Sequence, residues 1–171
     1  MTTIMGICCK DGIVMGSDTK EVSGTMKMSR KEKIYSYNLG NHPVLIATAG
    51  EVETIKQAVT RIDPSQMVLG EEPTLEEYLI RIVAPQISFL GREHIGTYGE
   101  LPNLELLIGT VGPKIAKVYA DGRYDVESRF FSAGSGSIFA EVLLRRFYNP
   151  EITLELGKKA GWLSHMGNAN S

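Results

Sequence analysis

Short apolar runs separated by turn residues open the chain, and this pattern is typical of β-strands. The turn at Lys10-Asp11-Gly12 contains an Asp-Gly pair, which favours a tight hairpin between the first two runs. A second turn spans residues 38–43. The predicted strands of this part are residues 3–9, 13–16, 33–37 and 44–49. The N-terminal part of the chain therefore predicts antiparallel strand pairs.

After Gly50 the apolar spacing lengthens to three or four residues, which predicts helices. The apolar face of the first predicted helix comprises Val52, Ile55, Val59 and Ile62. Asp63-Pro64 ends this helix. A second predicted helix begins at Thr74, with two glutamates in its first turn, where the helix dipole favours acidic side chains. We expect Pro85 to kink or end it, because proline has no N–H to donate.

The second half of the chain repeats this alternation. Its predicted elements are strands at 104–108 and 115–119, a turn at Asp121-Gly122, and helices at 138–146 and from 153 to about 165. The order of strands, two helices, strands and two helices predicts an α+β protein. We expect residues 1–171 to form a single domain in which two antiparallel sheets stack between helical layers.

Composition narrows the function classes. The hydrophobic content of 43% and the charged content of 22% are ordinary for a globular protein. A net charge of −2 argues against a general binder of nucleic acid or anionic membranes. The chain contains no apolar run near the roughly 18 residues of a membrane span and no signal-peptide pattern. We therefore expect a cytoplasmic protein with no nucleic-acid or membrane partner.

The cysteines and histidines carry no recognisable site. Cys8 and Cys9 are adjacent, so they point to opposite faces of a strand and form neither a disulfide framework nor a CxxC metal pair. His42, His94 and His165 are scattered, without a second ligand type at metal spacing. No GxSxG segment supports a serine–histidine triad. We expect no disulfide, no metal and no cofactor.

Polar residues at the ends of predicted strands are the remaining candidates for chemistry. Asp18 lies where the second strand ends, and Lys33 begins the third. Alone, each is typical of a turn carboxylate or a solvated cation. The segment 132–137, SAGSGS, precedes a helix. It fits either a helix-capping loop or a loop whose glycines allow close backbone approach to a reacting group.

Together with Thr2, these segments resemble one family. The motifs TTIMGI, KDGIVMGSD, KIY, ATAGE, LLIG and SAGSGSIF follow in order between Thr2 and about Phe147. They are similar to the proteasome β-type subunits, which are N-terminal-nucleophile hydrolases. The resemblance implies a four-layer αββα sandwich (the Ntn-hydrolase fold). It also implies a threonine endopeptidase that acts on polypeptides within a homo- or hetero-oligomeric ring.

The resemblance also assigns roles to individual residues. Thr2 is the implied nucleophile, and its own α-amine, with an unperturbed pKa of about 7.7–8.0, is the implied base. Lys33 lowers the cost of ionising the hydroxyl, Asp18 pairs with that lysine, and Ser135 helps relay the proton of the amine. The backbone N–H of Ala47, where the family usually has glycine, is the implied oxyanion donor.

The C-terminal end departs from the family pattern. The family carries an aspartate and a serine in a D-x-x-S arrangement, and their counterparts here are Asn168 and Ser171. Asn168 keeps hydrogen-bonding capacity but loses the charge. The last strand pair of the fold has no counterpart in the sequence, so we expect a truncated domain whose sheets lack their C-terminal strands, leaving open edges.

Three functions remain open at this stage. The first is a threonine endopeptidase in a proteasome-like core particle, with an acyl-enzyme on Thr2. The second is a connectase-like protein ligase that passes the acyl group to another amine. The third is an inactive subunit, which a retained Met1 favours because the Thr2 nitrogen is then an amide. The presence of Thr2, Asp18, Lys33 and Ser135 together argues against this third function.

Overall fold

The computed structural model of the chain describes residues 2–18, 20–23, 26–29, 33–66, 73–110, 112 and 114–158. The strands are β1 Ile4–Cys9, β2 Gly12–Ser17, β3 Lys20–Ser23, β4 Met26–Ser29, β5 Ile34–Leu39, β6 His42–Gly50, β7 Leu104–Thr110, β8 Lys114–Tyr119, β9 Tyr124–Glu127 and β10 Phe130–Ala133. The helices are α1 Val52–Arg61, α2 Leu75–Tyr78, α3 Ala84–Tyr98 and α4 Ser137–Phe147. A 3₁₀ turn covers Pro64–Gln66, and a π turn, Leu79–Val83, joins α2 to α3. In the described ranges, no helix has both the length and the apolar character to cross a membrane.

The strands form two main antiparallel sheets. One has the order β10-β1-β2 and the other β5-β6-β7-β8-β9, while β3 and β4 pair separately. The two sheets stack face to face over a shared core. The buried residues of this core are Ile4, Cys8, Ala47, Ala49, Leu107, Ile115 and Ala133.

Helices cover the outer face of each sheet. The five-stranded sheet packs on α1 and on the α2–α3 run, with Leu79 and Ile87 against Leu106 in one fully buried cluster. The three-stranded sheet packs on α4, where Leu144 meets Met5 of the central strand β1. Because β1 is covered on both faces, all six of its residues are buried. The structure is thus a four-layer αββα sandwich, as the resemblance implied.

Most predicted elements are found within a few residues of their expected bounds, but one expectation is wrong in part. Pro85 does not end the second helix, because the helical run continues to Tyr98 and stops at Gly99, a left-handed cap. Directly before the proline, the Ala84 N–H donates to the Leu79 carbonyl five residues back. This wider turn accommodates Pro85, which has no N–H to donate, and the α-helix then resumes.

The end of the chain is described only in part. Of the helix predicted from 153 to about 165, residues 154–158 are helical and the remainder lies outside the described residues. The supporting residues predicted from the sequence, Asn168 and Ser171, also lie outside them, as does Met1.

Candidate active site

Thr2 lies two residues before Ile4, where β1, the central strand of the three-stranded sheet, begins. One loop holds Thr2 at two points. The Thr2 nitrogen donates to the Ser135 Oγ, 3.0 Å away. The Thr2 carbonyl oxygen accepts the Gly136 N–H at 3.1 Å. The loop between β10 and α4 therefore fixes both polar groups of the Thr2 backbone.

This loop needs glycine for close approach rather than for capping a helix. Gly134 has a φ of +86°, in the left-handed region that favours glycine. A Cβ at this position would meet the Thr2 carbonyl group and lie 3.3 Å from the Ala49 Cβ. The N-cap residue of α4 is Gly136, without a side-chain cap, and the Ser135 hydroxyl turns to Thr2 instead. Of the two interpretations of SAGSGS, the geometry favours the close-approach loop.

Asp18 follows the last residue of β2 and binds three groups. Its N–H donates to the Thr3 carbonyl at 2.9 Å, and its Oδ1 accepts the Thr3 N–H at 3.1 Å. The same Oδ1 lies 2.8 Å from the Lys33 Nζ, and the two side chains are only 12% and 11% exposed. A nearly buried ion pair is stable only when further hydrogen bonds satisfy it, and the Thr3 N–H supplies one.

Lys33 is held at its backbone as well as at its ammonium group. Its carbonyl accepts the Thr48 N–H at 2.8 Å and the Thr48 hydroxyl at 3.3 Å. Thr48 is fully buried in β6 and was not singled out from the sequence. Because Lys33 Nζ and Thr3 N–H share one Asp18 oxygen, the ammonium lies beside the start of β1.

Ala47 lies in β6 with strands on both sides, opposite Ile34 of β5 and Leu107 of β7. Successive N–H groups of a strand point in opposite directions. Since the Thr48 N–H points to β5 and binds Lys33, the Ala47 N–H points to β7, into the sheet. This geometry gives no support to Ala47 as an oxyanion donor, which stays a prediction from the resemblance.

Two charged residues beneath the loop were missed by the sequence analysis. Glu105 Oε2 accepts the Gly134 N–H at 2.6 Å, and Glu105 Oε1 lies 2.8 Å from the Lys117 Nζ. The Lys117 Nζ also donates to the Ser132 carbonyl at 3.3 Å. The available signal was a charged residue in the interior of each of two largely apolar strands, LELLIGT and KIAKVY.

Cys8 and Cys9 do not compete with Thr2 as nucleophiles. Both are free and buried, at 2% and 1% exposure. Burial raises the pKa of the Cys8 thiol to about 12 and also raises the pKa of the Cys9 thiol. Since the thiolate is the reactive form, both side chains are inert near neutral pH.

Comparison with known proteins identifies the family of this chain. Residues 1–161 match the family model described as "Proteasome subunit". "Proteasome subunit beta 1" of Thermococcus gammatolerans is 30% identical over 160 residues, covering 91% of this chain and 75% of that protein. "Proteasome subunit beta type-10" of Mus musculus is 26% identical over 182 residues, covering 99% of this chain and 63% of that protein. The chain therefore spans less than two thirds of the length of the mouse subunit.

Solved structures show the same fold. The Anbu protein (ancestral β-subunit) from Yersinia bercovieri superposes with a TM-score of 0.81 at 15% identity, covering 99% of this chain and 75% of that one. A Gly-1 mutant of Anbu from a Hyphomicrobium species superposes with a TM-score of 0.83 at 18% identity, covering 100% of this chain and 76% of that one. With the αββα sandwich and the match over residues 1–161, this chain belongs to the proteasome subunit family of N-terminal-nucleophile hydrolases.

Proposed function

We propose that this chain is a threonine endopeptidase subunit in which Thr2, exposed as the first residue by removal of Met1, is the nucleophile. The observation that carries the proposal is the 3.0 Å hydrogen bond from the Thr2 nitrogen to the Ser135 Oγ. It places a hydroxyl that can pass on a proton beside the group that has to act as the base. The Asp18–Lys33 pair, with 2.8 Å between Oδ1 and Nζ, is bonded to the N–H of Thr3, the residue after Thr2.

Acylation starts with the neutral α-amine of Thr2, whose ordinary pKa of about 7.7–8.0 leaves a useful fraction unprotonated near neutral pH. The amine takes the proton of the Thr2 hydroxyl, directly or through Ser135, while the oxygen attacks the carbonyl carbon of a peptide bond. A C–O bond forms, and the C–N bond of the peptide then breaks. The departing amine takes the proton from the Thr2 ammonium, leaving an ester on Thr2.

Deacylation repeats the steps with water. The Thr2 amine takes a proton from water, and the hydroxide oxygen attacks the ester carbon. The bond between that carbon and the Thr2 oxygen breaks, and the proton returns to this oxygen. The products are a carboxylic acid and free Thr2, so no cofactor is consumed. In the ligase alternative, a second amine takes the place of water in this half of the reaction.

The Asp18–Lys33 pair supplies electrostatic support to both halves. Negative charge develops on the Thr2 oxygen when its proton leaves, and an ammonium group nearby stabilises that charge. Asp18 holds the ammonium in place through Oδ1 and stays bonded to the Thr3 N–H, so the cation moves little relative to Thr2. A fixed charge needs no reorganisation during the reaction.

We also propose that the chain assembles with related subunits. Proteasome subunits are the family to which it belongs, and a structure described as the helical assembly of the Anbu complex from Pseudomonas aeruginosa superposes with a TM-score of 0.79 at 16% identity. Ile138, Phe139 and Val142 of α4 are 71%, 61% and 62% exposed. An apolar surface of this kind on one helix fits a contact between subunits.

Intact-mass spectrometry after incubation with a peptide mixture tests the proposal. We expect the active chain to lack Met1, to carry a transient acyl group on Thr2, and to yield hydrolysed peptides. Thr2→Ala keeps a small second residue, so Met1 is still removed, but it has no nucleophile and should form no adduct. Full activity with Met1 attached, or turnover by Thr2→Ala, would contradict the mechanism. Ligated products would instead identify the ligase.

A further inference from the structure

A partly buried charge pair, Glu105 and Lys117, lies under the loop that holds Thr2. Glu105 is near the start of β7 and Lys117 is in β8 of the five-stranded sheet. The register pairs Glu105 with Tyr119 and Leu107 with Lys117, so Glu105 and Lys117 are diagonal neighbours on one face. Leu107 belongs to the core between the sheets, so this face is the inner one.

Charges inside a sandwich are costly unless their hydrogen bonds are satisfied. The side chains of Glu105 and Lys117 are 30% and 15% exposed, and their Oε1 and Nζ atoms lie 2.8 Å apart. The other Glu105 oxygen accepts the Gly134 N–H at 2.6 Å, and Lys117 donates to the Ser132 carbonyl at 3.3 Å. The pair thus binds the backbone on both sides of Ala133, at the end of β10 and at the first residue of the loop.

The same loop carries the two groups that hold Thr2. Ser135, the residue after Gly134, accepts from the Thr2 nitrogen, and Gly136 donates to the Thr2 carbonyl. Gly134 has a left-handed φ of +86°, and its carbonyl accepts the Ser137 N–H at 3.0 Å. A displacement of Gly134 therefore shifts the Ser135 hydroxyl and the Thr2 backbone together. Proton transfer and attack both depend on that placement.

We propose that Glu105 and Lys117 are positioning residues, which fix the Gly134–Gly136 loop from the opposite sheet and so set the place of the Thr2 amine. The inference rests on the proposed function, because it concerns the same nucleophile. An apolar pair of the same size could neither accept the Gly134 N–H nor donate to the Ser132 carbonyl, so it would not fix the loop in this way. Neither side chain is required to contact the substrate.

Four variants separate positioning from stability. Glu105→Gln keeps the shape, but its neutral amide has one acceptor oxygen in place of two, so it cannot bind the Gly134 N–H and the Lys117 ammonium through separate oxygens as the carboxylate does. Lys117→Met keeps the length without a donor, and Lys117→Arg restores the charge. The matched control is Glu93→Gln, which breaks the Arg61–Glu93 pair between α1 and α3, at 2.6 Å and with 29% and 48% exposure. This pair has no contact with the loop in the described structure.

The readouts are the rate of covalent labelling of Thr2 by a peptide epoxide, kcat and KM on a fluorogenic peptide, and hydrogen exchange at the Gly134 amide. We expect Glu105→Gln and Lys117→Met to slow labelling and lower kcat by about 10- to 100-fold, with KM little changed. Gly134 exchange should accelerate by at least about 10-fold in Glu105→Gln. Lys117→Arg should recover most of the rate, and Glu93→Gln should match the wild type. A thermal unfolding curve for each variant verifies folding at the assay temperature.

The outcomes distinguish the two proposals. If the wild type is labelled on Thr2 and Glu105→Gln is labelled equally fast, the positioning role is wrong. Equal losses in Glu105→Gln and Glu93→Gln would reduce the pair to a stability element and overturn the role as well. If the folded wild type without Met1 is never labelled, the proposed function fails. In that case, the rate of hydrogen exchange at the Gly134 amide in Glu105→Gln still shows whether Glu105 fixes the loop.

Discussion

Asp18 and Lys33 are 15 positions apart in the chain, yet their Oδ1 and Nζ atoms lie 2.8 Å apart at the junction of the two sheets. β2 ends just before Asp18, and β5 begins just after Lys33, so each strand places one partner at the end of the sandwich where Thr2 lies. Both side chains are nearly buried, and solvent and salt screen such a pair much less than a surface pair. The pair therefore affects both the stability of the fold and the charge around Thr2.

Asp18→Asn tests this double role. Asparagine keeps the size but removes the charge that binds the Lys33 ammonium and the Thr3 N–H. We expect the free energy of unfolding to fall by about 1.5–3 kcal/mol, the usual value for hydrogen bonds to a charged group. Urea denaturation at neutral pH measures it, and labelling of Thr2 by a peptide epoxide should slow in the same variant.

The control for Asp18→Asn is Glu77→Gln, which breaks an exposed ion pair with Arg81 on the α2–α3 run. Surface pairs of this spacing are worth about 0.3–0.5 kcal/mol. Equal losses in the free energy of unfolding would mean that the Asp18–Lys33 pair contributes no more to stability than an exposed ion pair.

Ser135→Ala removes the acceptor of the Thr2 nitrogen while leaving the loop backbone intact. Because Ser135 is exposed and does not cap α4, we expect a stability change within about 0.5 kcal/mol. Acyl-enzyme formation should slow by about 10- to 100-fold if the hydroxyl relays the proton of the amine. Stopped-flow assay with a fluorogenic peptide measures the rate.

Ser137→Ala is the matched control in the same segment. The Ser137 carbonyl accepts the Ser132 hydroxyl at 3.0 Å, and an alanine keeps this carbonyl. The Ser137→Ala protein should therefore react at the wild-type rate. Loss of activity in both serine variants would indicate that the loop tolerates no substitution, and Ser135 would lose its individual role.

Gly134→Ala tests the close approach of the loop to Thr2. The substitution adds the strain of a left-handed residue, about 1–2 kcal/mol, and places a methyl group against the Thr2 carbonyl. Gly99→Ala is the control, since Gly99 has a similar φ of +81° but open space around its Cβ position. Chemical denaturation should show a larger loss for Gly134→Ala, accompanied by loss of activity. If Gly99→Ala is destabilised as much, strain alone accounts for Gly134.

The strands that the sequence predicted are those with a local signal. β1 and β2 are joined by the Asp-Gly turn, and the register from Ile4 opposite Ser17 to Cys9 opposite Gly12 follows from that turn. The Asp121-Gly122 turn was predicted, but β9 and β10 after it were not, because both strands are only four residues long and mixed in polarity. β10 pairs with β1 at the other end of the chain, so its strand conformation depends on a long-range partner.

The part of α3 that follows Pro85 was not predicted, because a proline inside a helical pattern usually kinks or ends the helix. Gly91 lies within α3 and faces the Ala120 carbonyl so closely that a side chain would collide with it. The residue that weakens the helix locally thus allows the helix to pack on the sheet. Similarly, Glu105 and Lys117 look like solvated charges in the sequence, and only the stacking of the sheets shows that they face the loop.

Above about pH 9, the stability of this fold should decline. Burial raises the pKa of the Cys8 thiol from its ordinary value of 9.0 to about 12. Between these values the unfolded chain loses the thiol proton while the folded chain keeps it, so deprotonation favours the unfolded state. The stabilising contribution is complete below pH 9 and is lost as pH rises toward 12. Burial also raises the pKa of Tyr119 to about 12, which adds to the decline above pH 10.

Urea unfolding at several pH values between about 8 and 11 measures this slope. In Cys8→Ala the slope between about pH 9 and 10 should be smaller, because one titrating group is gone. Met5→Leu is the control, since it changes a buried residue of the same strand without changing a titratable group. The free energy of unfolding of this variant should follow the wild-type slope. An unchanged slope in Cys8→Ala would show that the fold does not raise the pKa of the Cys8 thiol.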